Sequence, residues 1–287
     1  MRRHPEFDLM LHDDGELAEA LGSPLTERAT IHEWPLSCVQ RVRTAGGGKF
    51  IYKVQAPPTL EAGFYARARS PLLVPARLLE GEGETSALIL VEVEAPRLAD
   101  FRPGEAEAAA IAGDLVRQIA EIEGRPPILF DIASEDGWLQ HIGAALDDIR
   151  VLIAEGGFSR VDSALADRLE EWSEAPSVLD AIRLPAGFVH ADLKADNVLV
   201  AAQGDYRILD WQRPIRGPVA LDTATLLISL GFDPLRLVPA GIVQLYHFLH
   251  IAWFAQAARR WYPQGKPWFD GFIQRIAGEL EQAMRKG

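Results

Sequence analysis

Apolar positions along the chain follow two different rhythms, and the change falls near residue 95. Before it, residues 38–43 alternate with period two, and residues 50–54 form a short aromatic and β-branched run, so both are predicted strands. Gly46, Gly47 and Gly48 lie between them, where a hairpin turn needs backbone freedom. Pro57, Pro58 and Thr59 then punctuate the chain. Leu60, Phe64 and Ala68 recur every four residues, which predicts a helix over 60–69 with Thr59 as its N-cap. Two more apolar runs, 72–74 and 87–91, flank an acidic turn at 80–84, and Pro96 stops the second.

Beyond Pro96 the spacing turns helical, over 105–123, 138–155, 165–175 and again from 222 onward. Residues 188–210 interrupt this with two apolar β-like runs, 197–200 and 206–209, joined by a turn at Ala202, Gln203, Gly204 and Asp205. The pattern predicts an α+β chain. Residues 1–94 form a small N-terminal sheet lobe with one helix, and residues 95–287 a larger helical lobe carrying one hairpin. Junctions of that kind commonly hold ligands.

Composition narrows the possibilities. The 287 residues are 48% hydrophobic and 24% charged, an ordinary globular balance. A formal net charge of −12 disfavours broad nucleic-acid binding. The single cysteine, Cys38, excludes an intramolecular disulfide and a Cys-based zinc site, and fits a reducing compartment. The N-terminus lacks the apolar stretch of a secretory signal. Residues 240–258 are the most apolar stretch, yet Gln244, His247, His250 and Gln256 break it, which predicts a buried helix rather than a span. A cytoplasmic, soluble protein without nucleic-acid or membrane partners is expected.

The candidate chemistry sits in the stretch 189–198 and in Leu209-Asp210-Trp211. Polar side chains at the mouths of apolar strands are costly unless paired, so a cluster there asks for a reason. Asp192, Asn197 and Asp210 flank one predicted hairpin, which would bring the loop before its first strand beside the end of its second. Singly, each has an ordinary role; Asn197 suits a turn, and Asp222 suits the N-cap of a helix over 223–230. Together they provide what phosphoryl transfer requires, namely oxygen ligands for Mg²⁺ and a carboxylate to orient and deprotonate a hydroxyl.

His190-x-Asp192-x4-Asn197, followed by Ile208-Leu209-Asp210 and Leu221-Asp222-x-Ala224, resembles the aminoglycoside phosphotransferase-like small-molecule kinases, a branch of the protein-kinase-like fold. The resemblance implies a bilobal kinase-like architecture and transfer of the γ-phosphate of ATP or GTP to a hydroxyl of a small molecule. It makes Asp192 the catalytic base, Asn197 and Asp210 the Mg²⁺ ligands, and Asp222 a brace for the catalytic loop. Lys53 resembles the lysine that contacts the α- and β-phosphates, Glu61 its ion-pair partner eight residues on, and Val91 and Val93 the hinge whose backbone binds adenine. One departure stands out. The phosphate-covering loop is expected around residues 34–37, where there is no glycine, which keeps a non-catalytic nucleotide or metabolite binder as an alternative. A protein serine/threonine kinase fits less well. Only 12 residues separate Asp210 from Asp222, Ala191 replaces an arginine, and Trp211-Gln212 replaces Phe-Gly. The acceptor remains open among aminoglycosides, amino alcohols and sugar-like molecules. The aromatic stretch 246–272, with Asp233 or Asp270, is either an acceptor wall or ordinary core.

Overall fold

The computed structural model describes residues 1–202 and 204–286; Gln203, in the expected 202–205 turn, lies outside them. In chain order the elements are β1 (Arg2–Arg3), β2 (Met10–Leu11), α1 (Asp14–Leu21), β3 (Leu25–Trp34), β4 (Ser37–Thr44), β5 (Lys49–Gln55), α2 (Glu61–Arg67), β6 (Ala68–Arg69), β7 (Ala76–Leu79) and β8 (Ser86–Val91). There follow α3 (Leu98–Phe101), α4 (Glu105–Ala120), β9 (Glu123–Gly124), α5 (Glu135–Ala154), α6 (Ser163–Ser173) and α7 (Pro176–Ile182). Then come β10 (Ala186–Val189), β11 (Val198–Ala202), β12 (Asp205–Ile208), β13 (Ile215–Pro218), α8 (Ala220–Ser229), α9 (Ala240–Gln256) and α10 (Lys266–Met284). The fold is α+β, with a sheet lobe and a helical lobe.

Packing divides the chain into two compact units. The first holds Met1–Asp100, Glu121–Pro127 and Asp196–Arg213; the second holds Phe101–Ala120, Ile128–Ala195 and Pro214–Gly287. In the first unit an antiparallel five-stranded sheet runs in the order β3-β4-β5-β8-β7. Alternation sorts its side chains. Cys38, Val42, Tyr52, Val54, Ala87 and Ile89 face a core closed by Leu9, Leu11 and Leu17, while Ile51 and Lys53 turn to the opposite face and line a cavity. The β4–β5 turn contains Gly47 at φ 80°, a conformation that glycine adopts at no steric cost.

Two strands escape the sequence pattern. β3 is an edge strand whose pairing with β4 shifts register twice, so no clean alternation survives. β7, at 76–79, lies just after the apolar run 72–74, whose Leu72 and Val74 are buried without being ladder residues. Residues 196–213 lie beyond the sequence boundary at residue 95 yet pack with the first unit. Val200 N–H donates to Pro96 C=O at 2.9 Å, and Ile208 N–H to Leu72 C=O at 2.8 Å.

The helical unit buries one large core built from α5, α6, α7, α9 and α10, with Trp138 meeting Phe248 edge-on at 5.6 Å. α9 covers the stretch predicted to be a buried helix. The polar Gln244 within it is satisfied, accepting from Ser177 Oγ at 2.7 Å and donating to Ala283 C=O at 3.1 Å. Among the described residues no helix is long and apolar enough to cross a membrane.

Of the two carboxylates considered for an acceptor wall, both serve backbone amides. Asp233 accepts Leu235 N–H. Asp270, 3% exposed, accepts N–H groups from Ser159, Arg160 and Val161 at 2.9–3.0 Å. Asp270→Ala would strand these amides, and we expect a loss of about 3 kcal/mol in urea unfolding, given the cost of unsatisfied buried donors. A change within about 0.5 kcal/mol, the usual range for surface substitutions, would contradict that role.

Candidate active site

In the first unit the site grows from β5. Period-two alternation sends Lys53 and Gln55 to the same face, and the turn after Gln55 brings the chain back at once. Thr59 N–H donates to Ala56 C=O, Leu60 N–H donates to Gln212 C=O at 2.8 Å, and Glu61 opens α2. A separation of eight residues is therefore enough. Lys53 Nζ lies 3.1 and 3.0 Å from the two Glu61 carboxylate oxygens, and 2.7 Å from Asp210 Oδ1. Thr59, the expected cap, does not cap α2, whose N-cap is Leu60.

One ammonium is thus shared by two carboxylates. Burial by itself would lower the Lys53 pKa, but Glu61 and then Asp210 overcome that, and the lysine is held above its ordinary value. Burial pushes Glu61 upward, opposed by Lys53 and by Gln55, whose Nε2 donates to Glu61 Oε2 at 2.7 Å. Among the described residues the other Gln55 side-chain atom, Oε1, and the Tyr65 hydroxyl are buried without hydrogen-bond partners. Tyr65 stands one turn after Glu61, and burial raises its pKa well above the ordinary value.

Asn197 and Asp210 flank the β11–β12 hairpin. Val198 pairs with Ile208, and Leu209 N–H donates to Asn197 C=O at 2.8 Å, so the segments before one strand and after the other are adjacent. Asp210 has φ 68°, a left-handed conformation that is unfavourable for a residue with a Cβ. Its neighbour Trp211 is fully buried, stacks on Phe64 of α2 at 4.4 Å, and donates Nε1–H to Ile208 C=O.

Lys53, Asn197 and Asp210 line a cavity of about 880 Å³, a volume typical of small-molecule sites. Ile51, Val39, Leu90, Leu199 and Leu209 supply apolar walls, and Val91 and Val93 lie along the same lining. Val91 N–H is committed to Pro75 C=O at 2.9 Å and Glu92 N–H to Lys49 C=O at 3.0 Å. Among the described residues Val93 N–H makes no hydrogen bond. Glu92 is clamped by Arg41 and Arg43, which fixes the connector after β8. The predicted phosphate-covering segment 34–37 is the tight β3–β4 turn, and Trp34 borders the cavity.

Asp192 belongs to the second unit. The loop after β10 is organised by Asp222, which is not a helix cap but a buried residue within α8. Its carboxylate accepts the N–H groups of His190 at 2.8 Å and Ala191 at 3.0 Å. Ala191 has φ 65°, and those two bonds hold the strained turn. Asp192 N–H donates to His190 Nδ1 at 3.2 Å, and Lys194 Nζ pairs with Asp192 Oδ1 at 2.7 Å. Tyr246 of α9 has its pKa raised by burial first and then by the charge of Asp192.

A separate trio, His4, Glu33 and Cys38, offers ligand atoms within 4.8 Å of one another. His4 Nδ1 accepts N–H bonds from Glu6 and Phe7, so Nε2 carries the proton and donates to Glu33. A metal-bound imidazole needs the reverse tautomer, with its distal N–H donating, so His4 and Glu33 form a hydrogen-bonded pair packed beside Cys38.

Comparison with known proteins decides the family, because the profile of the phosphotransferase enzyme family matches residues 40–262, most of the chain. The chain belongs to the phosphotransferase enzyme family. This phosphotransferase is similar in structure to a choline/ethanolamine kinase family protein from Mesorhizobium loti (TM-score 0.60, 17% identity, covering 91% of this chain and 88% of that one). It is also similar to choline kinase LicA from Streptococcus pneumoniae (TM-score 0.60, 13% identity, 93% and 97% covered). A third neighbour is a thermostable mutant of aminoglycoside phosphotransferase APH(4)-Ia in complex with AMP-PNP and hygromycin B (TM-score 0.59, 16% identity, 94% and 97% covered). No curated protein matches the chain by sequence.

Gln55, Tyr65 and Gln212 are the site residues that the motifs do not pick out. Gln55 was accessible through alternation alone, two positions after Lys53; Tyr65 was accessible one turn beyond Glu61. Burial raises the Asp222 pKa to about 7, against the pull of its two amide donors. Between about pH 4 and pH 7 the folded protein therefore holds a proton that the unfolded chain has released, and stability falls as pH rises through that window. Urea unfolding of wild type and Asp222→Asn across pH 4–8 should show this negative slope in wild type and its loss in the variant. Parallel curves would exclude the linkage.

Proposed function

We propose that this phosphotransferase moves the γ-phosphate of a nucleoside triphosphate, ATP or GTP, onto a hydroxyl of a small molecule. The observation that carries the reading is the Lys53–Glu61–Asp210 cluster, of which Lys53 and Asp210 line a cavity together with Asn197. In this reading the base lies between the apolar walls, its edge meeting the backbone near Val91 and Val93. Lys53, held in place by Glu61, meets the α- and β-phosphates. An Asn carboxamide and an Asp carboxylate form a hard-oxygen donor set suited to Mg²⁺, which keeps several waters and asks for few protein ligands. Bound Mg²⁺ would supply neutralising charge on the phosphates.

Asp192 takes the acceptor proton. The acceptor oxygen forms its bond to the γ-phosphorus, the bond from that phosphorus to the β–γ bridging oxygen breaks, and the nucleoside diphosphate leaves with the bonding pair. The Lys194 ammonium, paired with Asp192 Oδ1 at 2.7 Å, holds that carboxylate in place. Solved neighbours hold a nucleotide together with a small molecule, AMP-PNP with hygromycin B in one and ADP with spectinomycin in another, which supports a nucleotide-dependent reaction on a small molecule. Amino alcohols, aminoglycosides and sugar-like alcohols are the acceptor classes to screen.

The test is Mg²⁺-dependent ADP or GDP release against a panel of hydroxylated metabolites and antibiotics. Asp192→Ala should reduce release by at least about 100-fold, the scale of general-base catalysis, while nucleotide still binds. Turnover near wild type would remove Asp192 from the role of base. Nucleotide binding without release on any acceptor would favour the non-catalytic alternative. Lys53→Ala should raise the nucleotide KM and lower kcat together; unchanged nucleotide kinetics would take Lys53 out of the site.

A further inference from the structure

Gln212 stands two residues after Asp210, where a glycine would be the expected partner of a kinase metal-binding turn, and it makes three contacts that a turn residue does not need. Its backbone N–H donates to Asp210 C=O at 2.7 Å, and its C=O accepts Leu60 N–H at 2.8 Å, at the start of the helix carrying Glu61. Its side-chain Nε2 donates to Asp210 Oδ1 at 2.7 Å. Lys53 Nζ reaches that same oxygen at 2.7 Å. Two donors from different elements, one charged and one neutral, therefore converge on one oxygen of a residue whose backbone is strained at φ 68°. Gln212 also lines the cavity, so its carboxamide works at the site itself.

A carboxylate gripped at one oxygen cannot rotate freely about its side-chain bonds. Lys53 by itself leaves that rotation only partly restrained, because its ammonium is also drawn to Glu61 and can swing on a flexible stem. The planar carboxamide, anchored at both backbone ends, adds the second restraint. Because it is neutral, it does so without adding a further cation that would compete with a metal for Asp210.

We propose that Gln212 is a positioning residue that presents Asp210 to the metal–nucleotide complex and couples that carboxylate to α2. A glycine in its place would keep the two backbone bonds and lose the grip on Oδ1. The inference rests on the reading of Asp210 as a metal ligand. It predicts a selective defect, in which Mg²⁺ is held less well while the metal-free nucleotide still fits the apolar walls.

The experiment is calorimetric titration of AMP-PNP into the full-length protein, without metal and over a series of Mg²⁺ concentrations, for wild type, Gln212→Met and Gln212→Asn. Methionine has a similar volume and no donor. The Mg²⁺ concentration giving half-maximal tightening should rise about tenfold in Gln212→Met, the lower end of what losing an outer-shell partner costs a metal site. Metal-free affinity should stay within about twofold, and Gln212→Asn, which keeps an amide donor on a shorter stem, should fall between the two. An unchanged Mg²⁺ midpoint in a folded Gln212→Met overturns the proposal, as does an equal loss of metal-free affinity, which marks a structural role only. Should the methionine variant fail to fold, Gln212→Asn decides by the same criterion. Wild type that shows no Mg²⁺-dependent nucleotide binding would refute the proposed function itself, an outcome distinct from either of these.

Discussion

A single buried ammonium, shared by two carboxylates, is the constraint around which the first unit is built. Lys53 and Glu61 are nearly inaccessible, with side chains 8% and 0% exposed, and Asp210 meets them from the end of the hairpin. Charges removed from water are tolerated only when each is paired and hydrogen-bonded. Here one cation faces two anions, and the remaining demand is met by neutral amides, Gln55 on Glu61 and Gln212 on Asp210. The arrangement ties three separate pieces of chain together, namely a sheet strand, the helix that follows it and a turn whose Asp210 lies 157 residues after Lys53. Removing one partner would leave buried charge uncompensated, which is why the cluster orders its surroundings even where its net contribution to stability is small.

The same logic appears twice in the backbone. Asp210 and Ala191 both hold left-handed conformations that residues with a Cβ avoid, and each is stabilised by specific side-chain contacts. Trp211 and Gln212 secure the first by stacking on α2 and bonding back to Asp210. Asp222 secures the second by accepting two consecutive backbone amides. Strain persists where the surroundings over-determine it, and two of the three non-glycine residues with positive φ among the described residues, Ala191 and Asp210, lie in the loops that carry the candidate chemistry, the third being Arg102.

Acceptor choice is a separate matter from fold. Solved neighbours with this architecture include a choline kinase, an aminoglycoside phosphotransferase in complex with hygromycin B and a spectinomycin phosphotransferase, so the fold by itself does not name an acceptor. In this chain much of the aromatic stretch is packing: Phe248 and Phe269 are buried, and Phe254 stacks on Phe269 and Phe272. Asp270 is occupied by backbone amides. The aromatic density of the tail is therefore largely core, with Tyr246 the member that feels the charge of Asp192.

What the sequence determined by itself was local and periodic. Alternation in 38–43 and 50–54 set the two central strands and put Lys53 on the face opposite Tyr52 and Val54, because a pleated strand allows only two directions. The spacing of Asn197 and Asp210 around a hairpin set their adjacency, because antiparallel pairing brings the segments before one strand and after the other together. The tertiary structure decided what local rhythm does not encode. β3 went unrecognised because an edge strand with shifted register has no clean alternation, and the true position of β7 depended on a pairing partner rather than on hydrophobicity. For Asp222 the sequence left two roles open, a helix cap or a brace for the loop, and the fold decided between them by setting its carboxylate against the amides of His190 and Ala191. The two glutamines, ordinary polar residues in the sequence, take on meaning only where folding places each amide against a carboxylate that shares the one buried ammonium.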